Sequence, residues 1–152
     1  MTYFPYNHEL ARAVAARFIQ LEGGIINKMK LMKLMYMLDR ETICEDGCAI
    51  VGGRYVALPN GEIVSENGYE LQLYGKDFDF DLISEWVEEK ILAVYQKFGR
   101  TAPFELSEYP QRQENYQEWQ KRTKHVTLRD IAGDKADEVE ALAQELSMFI
   151  VG

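Results

Sequence analysis

Residues 28–47 read KMKLMKLMYMLDRETICEDG and have the apolar spacing of a helix that is buried on much of its surface. Asn27 precedes this stretch as a candidate N-cap, and Gly47 follows its last turn as a helix-ending residue. The apolar stripe is wider than that of an ordinary surface helix. Its members are Leu31, Met32, Leu34, Met35, Tyr36 and Leu38.

The same spacing predicts three further helices. They run from the cap Asn7 to about Glu22, from the acidic residues 77–81 to about Phe98, and from about Asp137 to Phe149. One acidic residue of 77–81 is expected to cap the second of these helices, where the helix dipole favours negative charge. Thr127 is a candidate cap for a short helical turn over TLRDIAG, residues 127–133.

A short β-hairpin is predicted between these helices. Residues 49–58, AIVGGRYVAL, are β-branched and aromatic, PNG at 59–61 is a turn signal, and EIV follows. A short helix is expected from a cap at Ser65 to Gly75, and the polar stretch 110–125 is expected to be a loop or mobile segment. The predicted fold class is α+β, mainly α: a helical domain with a small antiparallel β-hairpin, and a single domain over 1–152.

Composition and charge exclude several classes of protein. The chain has 152 residues, 47% of them hydrophobic, and a formal net charge of -8, which disfavours binding to nucleic acid or to an anionic membrane. It has no run of roughly 18 apolar residues, so no transmembrane helix is expected. The N-terminal residues do not have a signal-peptide pattern, and we expect a cytoplasmic protein.

Two metal-site patterns are incomplete, and we expect neither a metal nor a cofactor. Cys44 and Cys48 form one close pair, whereas a structural zinc site usually needs two, and His8 and His125 lie far from them in sequence. The carboxylates of an EF-hand loop have counterparts here, but Leu82 occupies the position at which that loop requires glycine. Those counterparts are Asp77, Asp79, Asp81 and Glu88.

Two charged stretches are candidate binding surfaces. Residues 77–89 contain six acidic residues and no basic one, which is typical of a solvated face but also suits a basic partner. Lys28, Lys30, Lys33 and Arg40 form a basic edge on the second helix, although the overall charge opposes nucleic-acid binding there. The residues form no nucleophile–base arrangement, phosphate-binding loop or dinucleotide fingerprint, so an enzyme is not expected.

Several stretches resemble, in order, the SocA-like antitoxin family, whose domain is called Panacea and was first described as phage-associated. MKLMKLMYMLDRETI at 29–43 is similar to the LqKLlYla helix of the family. GGRYVALPNGEIVSENGYEL at 52–71 is similar to its G-x-x-y-x-A-x-x-x-GPV-x-s-x-x-Y-x-l block, and YQEW with TLRDIAG resembles its tail. The matching positions in the block are Ala57, Gly61, Ile63 or Val64, Ser65 and Tyr69. The resemblance extends over about 7–149.

The resemblance implies a non-enzymatic antitoxin that neutralises a cognate toxin, encoded by a neighbouring gene, through direct protein–protein binding. Two positions depart from the family pattern. Glu62 stands where the family has the proline of GPV, and Tyr109-Pro110 replaces the histidine motif that precedes the tryptophan. The first departure predicts a looser, more charged turn, and the second gives no basis for carrying a role of that histidine over to this chain.

The hairpin is the expected contact surface, because a strand edge and its turn present backbone groups to a partner. The candidate toxin contacts are Arg54, Tyr55, Asn60, Glu62 and Glu66, and Gly61 is assigned to turn geometry. The competing interpretation of each residue is structural, with Tyr55 in the core and Glu62 merely solvated. Whether the chain forms a homodimer stays open.

Two alternatives to the antitoxin remain. One is a phage or prophage accessory protein that binds a host factor, or that acts as a proteolytic adaptor. The other is a DNA-binding autoregulator that uses the lysines of the second helix, and its binding would weaken steeply with salt.

Overall fold

The computed structural model describes residues 2–59, 63–67, 78–100 and 124–148. In chain order its elements are α1 (His8–Glu22), α2 (Lys28–Asp46), β1 (Tyr55–Ala57), β2 (Ile63–Ser65), α3 (Glu85–Phe98), β3 (Lys124–Val126), α4 (Leu128–Ala132) and α5 (Ala136–Met148). Short 3₁₀ turns at Phe80–Leu82 and Gly133–Lys135 precede α3 and α5. The predicted fold class, α+β and mainly α, is confirmed.

Helices α1 and α2 begin and end where the sequence predicts, because their caps form the expected hydrogen bonds. The side chain of Asn7 accepts a 3.1 Å hydrogen bond from the backbone N–H of Leu10. The side chain of Asn27 accepts one of 2.9 Å from the N–H of Met29. These side chains satisfy N–H groups that the first turn of a helix leaves without an intrahelical partner.

Helix α2 lies at the centre of the fold and contacts other elements on several sides. One side packs against α1 and α3 in a core cluster that includes Leu31, Leu34, Met35 and Leu38. Another side meets the sheet and α4, and Tyr36 and Ile43 lie there in a second cluster with Tyr55, Val126 and Leu128. Burial on several sides explains the width of the apolar stripe in the sequence.

The sheet has three antiparallel strands in the order β2-β1-β3. Tyr55 lies opposite Ser65 of β2 and opposite Val126 of β3. The predicted hairpin is therefore present, but β1 is the central strand. Strand β3 lies at the end of the stretch predicted to be a loop; the rest of that loop falls outside the described residues. Ser65 ends β2 and does not cap a helix, and residues 68–75 of that predicted helix also fall outside the described residues.

The N-cap of helix α3 is Ser84 and not an acidic residue of 77–81 as predicted. The Ser84 hydroxyl accepts a 3.2 Å hydrogen bond from the N–H of Val87. Asp79 instead caps the preceding 3₁₀ turn, where its carboxylate accepts a 3.1 Å hydrogen bond from the N–H of Asp81. The acidic run is thus divided between the 3₁₀ turn and the first turns of α3.

Candidate functional site

A buried carboxylate fixes the loop that leads from α2 into the sheet. Asp39 is 1% exposed. Its Oδ1 atom accepts hydrogen bonds of 2.9 Å from the backbone N–H groups of Ile50 and Val51. Its Oδ2 atom accepts one of 3.0 Å from the N–H of Gly52 and one of 2.6 Å from the hydroxyl of Tyr55. One side chain of α2 therefore holds three consecutive backbone groups and the first residue of β1.

Burial raises the pKa of Asp39 to about 6, while the four donors act in the opposite direction and limit the increase. The same burial, together with the nearby carboxylate, raises the pKa of Tyr55 well above its ordinary value. Both side chains are enclosed by the core, so the pair is part of the framework that positions the sheet. Asp39 is not among the site residues predicted from sequence, although its spacing from Met35 and Ile43 places it on the buried stripe.

The N-terminal segment closes over this loop. The N–H of Gly53 donates a 2.8 Å hydrogen bond to the carbonyl oxygen of Phe4, and the N–H of Asn7 donates one of 3.0 Å to the carbonyl oxygen of Val51. Gly52 has a φ of +79°, and a Cβ atom there would collide with the carbonyl oxygen of Pro5. Glycine at this position is thus required by both backbone conformation and space.

The candidate contact residues separate into exposed and buried groups. The side chain of Arg54 is 51% exposed. Tyr55 and Glu66 are 0% and 1% exposed, so neither is available to a partner in this structure, and neither is kept as a candidate contact. Asn60, Gly61 and Glu62 lie outside the described residues. Because β1 is paired on both sides, it also offers no strand edge.

Glu66 forms the centre of a small charged cluster beside the sheet. Its Oε2 atom lies 3.7 Å from Nε of Arg54 and 3.6 Å from Nδ1 of His125. An adjacent cavity of about 530 Å³ is open to solvent. The lining residues are Tyr3, Tyr6, Gly53, Arg54, Asn67 and His125. His125 enters this cluster because β3 pairs with β1, a long-range contact that the local sequence does not indicate.

A second surface region combines acidic and apolar side chains around the start of α3. Phe80 is 38% exposed, Leu82 43% and Trp86 39%. Glu85 and Glu89 lie one turn apart on the exposed face of α3, and Trp86 lies beside them on that face. We call Phe80, Leu82, Glu85, Trp86 and Glu89 the acidic–aromatic face.

A groove separates this face from α1. It has a volume of about 690 Å³, and its lining includes Phe80, Glu85 and Glu89 on one side and Arg17 and Gln20 on the other. Nε of Arg17 lies 2.7 Å from Oε1 of Glu88, which joins α1 to α3 across the floor of the groove. The groove therefore contains an ion pair that links α1 to α3, and two further carboxylates, those of Glu85 and Glu89, line its α3 side.

The other charged and sulfur-containing groups do not assemble into a further site within the described residues. No group of three or more His, Cys, Asp or Glu side chains is placed to hold a metal ion there. Cys44 and Cys48 are both thiols. Lys30 of the predicted basic edge lies 2.7 Å from Glu22 and is thus an ion-pair partner within the chain. None of the described helices combines the length and hydropathy that a membrane span requires.

Comparison with known families agrees with the resemblance found in the sequence. The family described as antitoxin SocA-like, Panacea domain, matches residues 31–120, which is more than half of the chain. The matched region contains β1, β2, α3 and most of α2. No curated protein and no solved structure gave a significant match. The chain belongs to the SocA-like antitoxin family, and the Panacea domain match covers residues 31–120.

Proposed function

We propose that this chain is the antitoxin of a toxin–antitoxin pair and that it neutralises a cognate protein toxin by direct protein–protein binding. Membership of the SocA-like antitoxin family carries the proposal. The toxin is the product of a neighbouring gene, both proteins act in the cytoplasm, and neutralisation needs neither catalysis nor a cofactor.

The surface of the chain supports a binding role. Phe80, Leu82 and Trp86 are large apolar residues that are close in sequence and are each more than a third exposed. Scattered exposed apolar residues are normal, but a group of them bordered by charges is characteristic of protein-binding surfaces. Arg54 adds an exposed cation elsewhere on the surface, near the sheet.

A growth assay tests the proposal. The adjacent open reading frame is expressed from an inducible promoter, alone, with this chain, or with a frameshifted copy of this chain. We expect growth arrest by the neighbour, recovery with the intact chain, and continued arrest with the frameshifted copy. A harmless neighbour that does not co-purify with this chain would contradict the antitoxin function and favour the host-factor alternative.

Following the amount of a tagged toxin in the same cells separates two modes of neutralisation. A constant amount of toxin in rescued cells supports inhibition by binding. A fall in toxin that requires this chain supports delivery to a protease, the adaptor alternative. Size-exclusion chromatography with light scattering of the purified pair distinguishes a 1:1 complex from a 2:2 complex built on a homodimer.

A further inference from the structure

We propose that the acidic–aromatic face is the toxin-binding surface and that it receives a basic amphipathic segment of the toxin. Such a segment carries Lys or Arg side chains on both sides of one or two large apolar residues. This inference rests on the proposed antitoxin function and names the surface through which that function operates.

The face is formed by one side of α3 together with the turn that precedes it. Val87, Ile91 and Val94 point into the core, at 7%, 0% and 3% exposure. Glu85 and Glu89 lie on the opposite side of the helix, and Trp86 and Leu92, 39% and 42% exposed, flank them at the two edges of that side. An ordinary surface helix has polar residues at its exposed positions, whereas α3 has a tryptophan and a leucine at two of them.

The charge of the face is not neutralised by the cations at its borders. Lys90 lies 3.0 Å from Glu45 and 3.1 Å from Asp46 of α2, and its Nζ atom is 5.7 Å from the centre of the Trp86 ring. Arg17 is held by Glu88 at 2.7 Å. Within the described residues Glu85 and Glu89 form no ion pair. Among the described residues both neighbouring cations thus pair with other carboxylates, which leaves the carboxylates of Glu85 and Glu89 for a cationic group of a partner.

The geometry of the groove matches a long cationic side chain. The groove places Glu85 and Glu89 along one wall, and Phe80 and Ile83 add apolar surface beside them. Lys and Arg side chains combine a long apolar stem with a charged end, so they can pack on such apolar surface while the charged end meets a carboxylate. An apolar residue next to that cation in the partner then packs on Leu82 and Trp86.

The chemistry of the face selects among partner classes. Nucleic acids and anionic membranes carry phosphate groups, which these carboxylates repel. A neutral apolar partner leaves the carboxylates without compensation when they lose water. A basic protein segment satisfies both the carboxylates and the exposed aromatic residues, and tryptophan is among the residues that most often dominate binding energy at interfaces.

A binding measurement with purified neighbouring-gene product tests this surface. The test variant is Glu85→Lys/Glu89→Lys, which reverses two charges on the face and leaves the Arg17–Glu88 pair intact. The matched control is Glu138→Lys/Glu145→Lys, the same charge reversal at two exposed positions of α5. Trp86→Ala is the second test variant. Thermal unfolding of each variant establishes that it is folded before its Kd is measured by calorimetry.

We expect the test double variant to bind at least about 100-fold more weakly than the unaltered chain, and Trp86→Ala about 10- to 100-fold more weakly. The control variant is expected to stay within about threefold, since it changes the net charge but not the face. Binding of the unaltered chain should also weaken as salt is raised, and the test double variant should lose most of that salt dependence. Growth rescue should follow the same order.

The outcomes separate this inference from the proposed function. If the unaltered chain binds the toxin and both test variants bind equally well, the acidic–aromatic face is not the interface, while the antitoxin function stands. If the control variant loses affinity as strongly as the test variant, net charge and not this face governs binding. If the unaltered chain neither binds nor rescues, the proposed function and this inference both fail.

Discussion

The hydroxyl group of Tyr55 donates a 2.6 Å hydrogen bond to Oδ2 of Asp39, and both side chains lie in the interior of the protein. The bond joins the first residue of β1 to the middle of α2. Because Asp39 also accepts from the backbone of residues 50–52, the position of the sheet on α2 depends on this one carboxylate.

Tyr55→Phe should lower the free energy of unfolding by about 1–3 kcal/mol. The substitution removes one donor from a buried carboxylate and leaves the ring in place, so the cost is the loss of a hydrogen bond to a charged group. Urea unfolding followed by circular dichroism at pH 7 measures the change.

Tyr95→Phe is the matched control for Tyr55→Phe. Tyr95 also donates to a carboxylate, Oε1 of Glu22, at 3.0 Å, but this bond is only partly buried. Water can replace the lost donor there, so we expect a cost below about 1 kcal/mol. Equal costs for the two variants would mean that the buried hydrogen bond to Asp39 stabilises the protein no more than the partly buried bond to Glu22 does.

The raised pKa of Asp39 predicts a pH dependence of stability. With a pKa of about 6 in the native state and ~3.9 in the unfolded state, the native protein binds the additional proton between those values. The contribution of Asp39 to the free energy of unfolding is therefore greatest below about pH 4. It falls as the pH rises through about 6, by about 3 kcal/mol in total.

Comparison with Asp39→Asn isolates this contribution from those of the other carboxylates. The difference in unfolding free energy between the natural chain and the variant should decrease from pH 4 to pH 7 and then become constant. Urea unfolding of both proteins at successive pH values, one pH unit apart, measures this difference. A difference that increases over this range would show that the four hydrogen bonds outweigh burial and that the native pKa is depressed.

The positions of the helices could be predicted from sequence because residues at the helix ends determine where each helix begins. Asn7, Asn27 and Thr127 each accept a hydrogen bond from a backbone N–H in the first turn, which is the role that their residue types predict. The burial of Asp39 was also present in the pattern, as a carboxylate at a position of the apolar stripe. The hydrogen-bond partners of Asp39 could not be predicted in this way, since they lie on the following loop and at the start of β1.

The contact predictions on the hairpin depended on information that a local pattern does not contain. The sequence predicts Tyr55 and Glu66 as residues of an exposed hairpin edge and its loop. In the structure β3 pairs with β1, so β1 is the central strand of the sheet. The same pairing places Nδ1 of His125 3.6 Å from Oε2 of Glu66. The acidic run 77–89 was visible in sequence, but its groove with α1 follows from helix packing.

Thr127→Ala should destabilise the protein by about 1 kcal/mol. The Thr127 hydroxyl accepts a 3.1 Å hydrogen bond from the N–H of Asp130, whose carboxylate accepts one of 3.1 Å from the N–H of Thr127. This capping box begins α4 directly after β3, and loss of a threonine cap typically costs about 0.5–2 kcal/mol.

Ser147→Ala is the control for the cap, and chemical denaturation of both variants supplies the comparison. Ser147 bonds to the carbonyl oxygen of Ala143 within the last turn of α5, at 2.8 Å. That carbonyl group remains available to the helix, so we expect a change of less than about 0.5 kcal/mol. A loss at Ser147 that matches the loss at Thr127 would remove the capping box as the explanation.

Gly52→Ala and Gly47→Ala separate the cost of a steric collision from the cost of a left-handed backbone conformation. Both glycines have a φ of +79°, but a Cβ atom at Gly47 meets nothing within 4 Å, whereas one at Gly52 collides with the carbonyl oxygen of Pro5. We expect Gly47→Ala to cost about 1–2 kcal/mol, which is the strain of a left-handed alanine. Gly52→Ala should cost at least about 2 kcal/mol more, since the N-terminal segment must move away from the loop that Asp39 holds. Thermal and urea unfolding of both variants measure the two costs. Similar costs for the two variants would mean that the N-terminal segment can move without loss of stability and does not hold the loop in place.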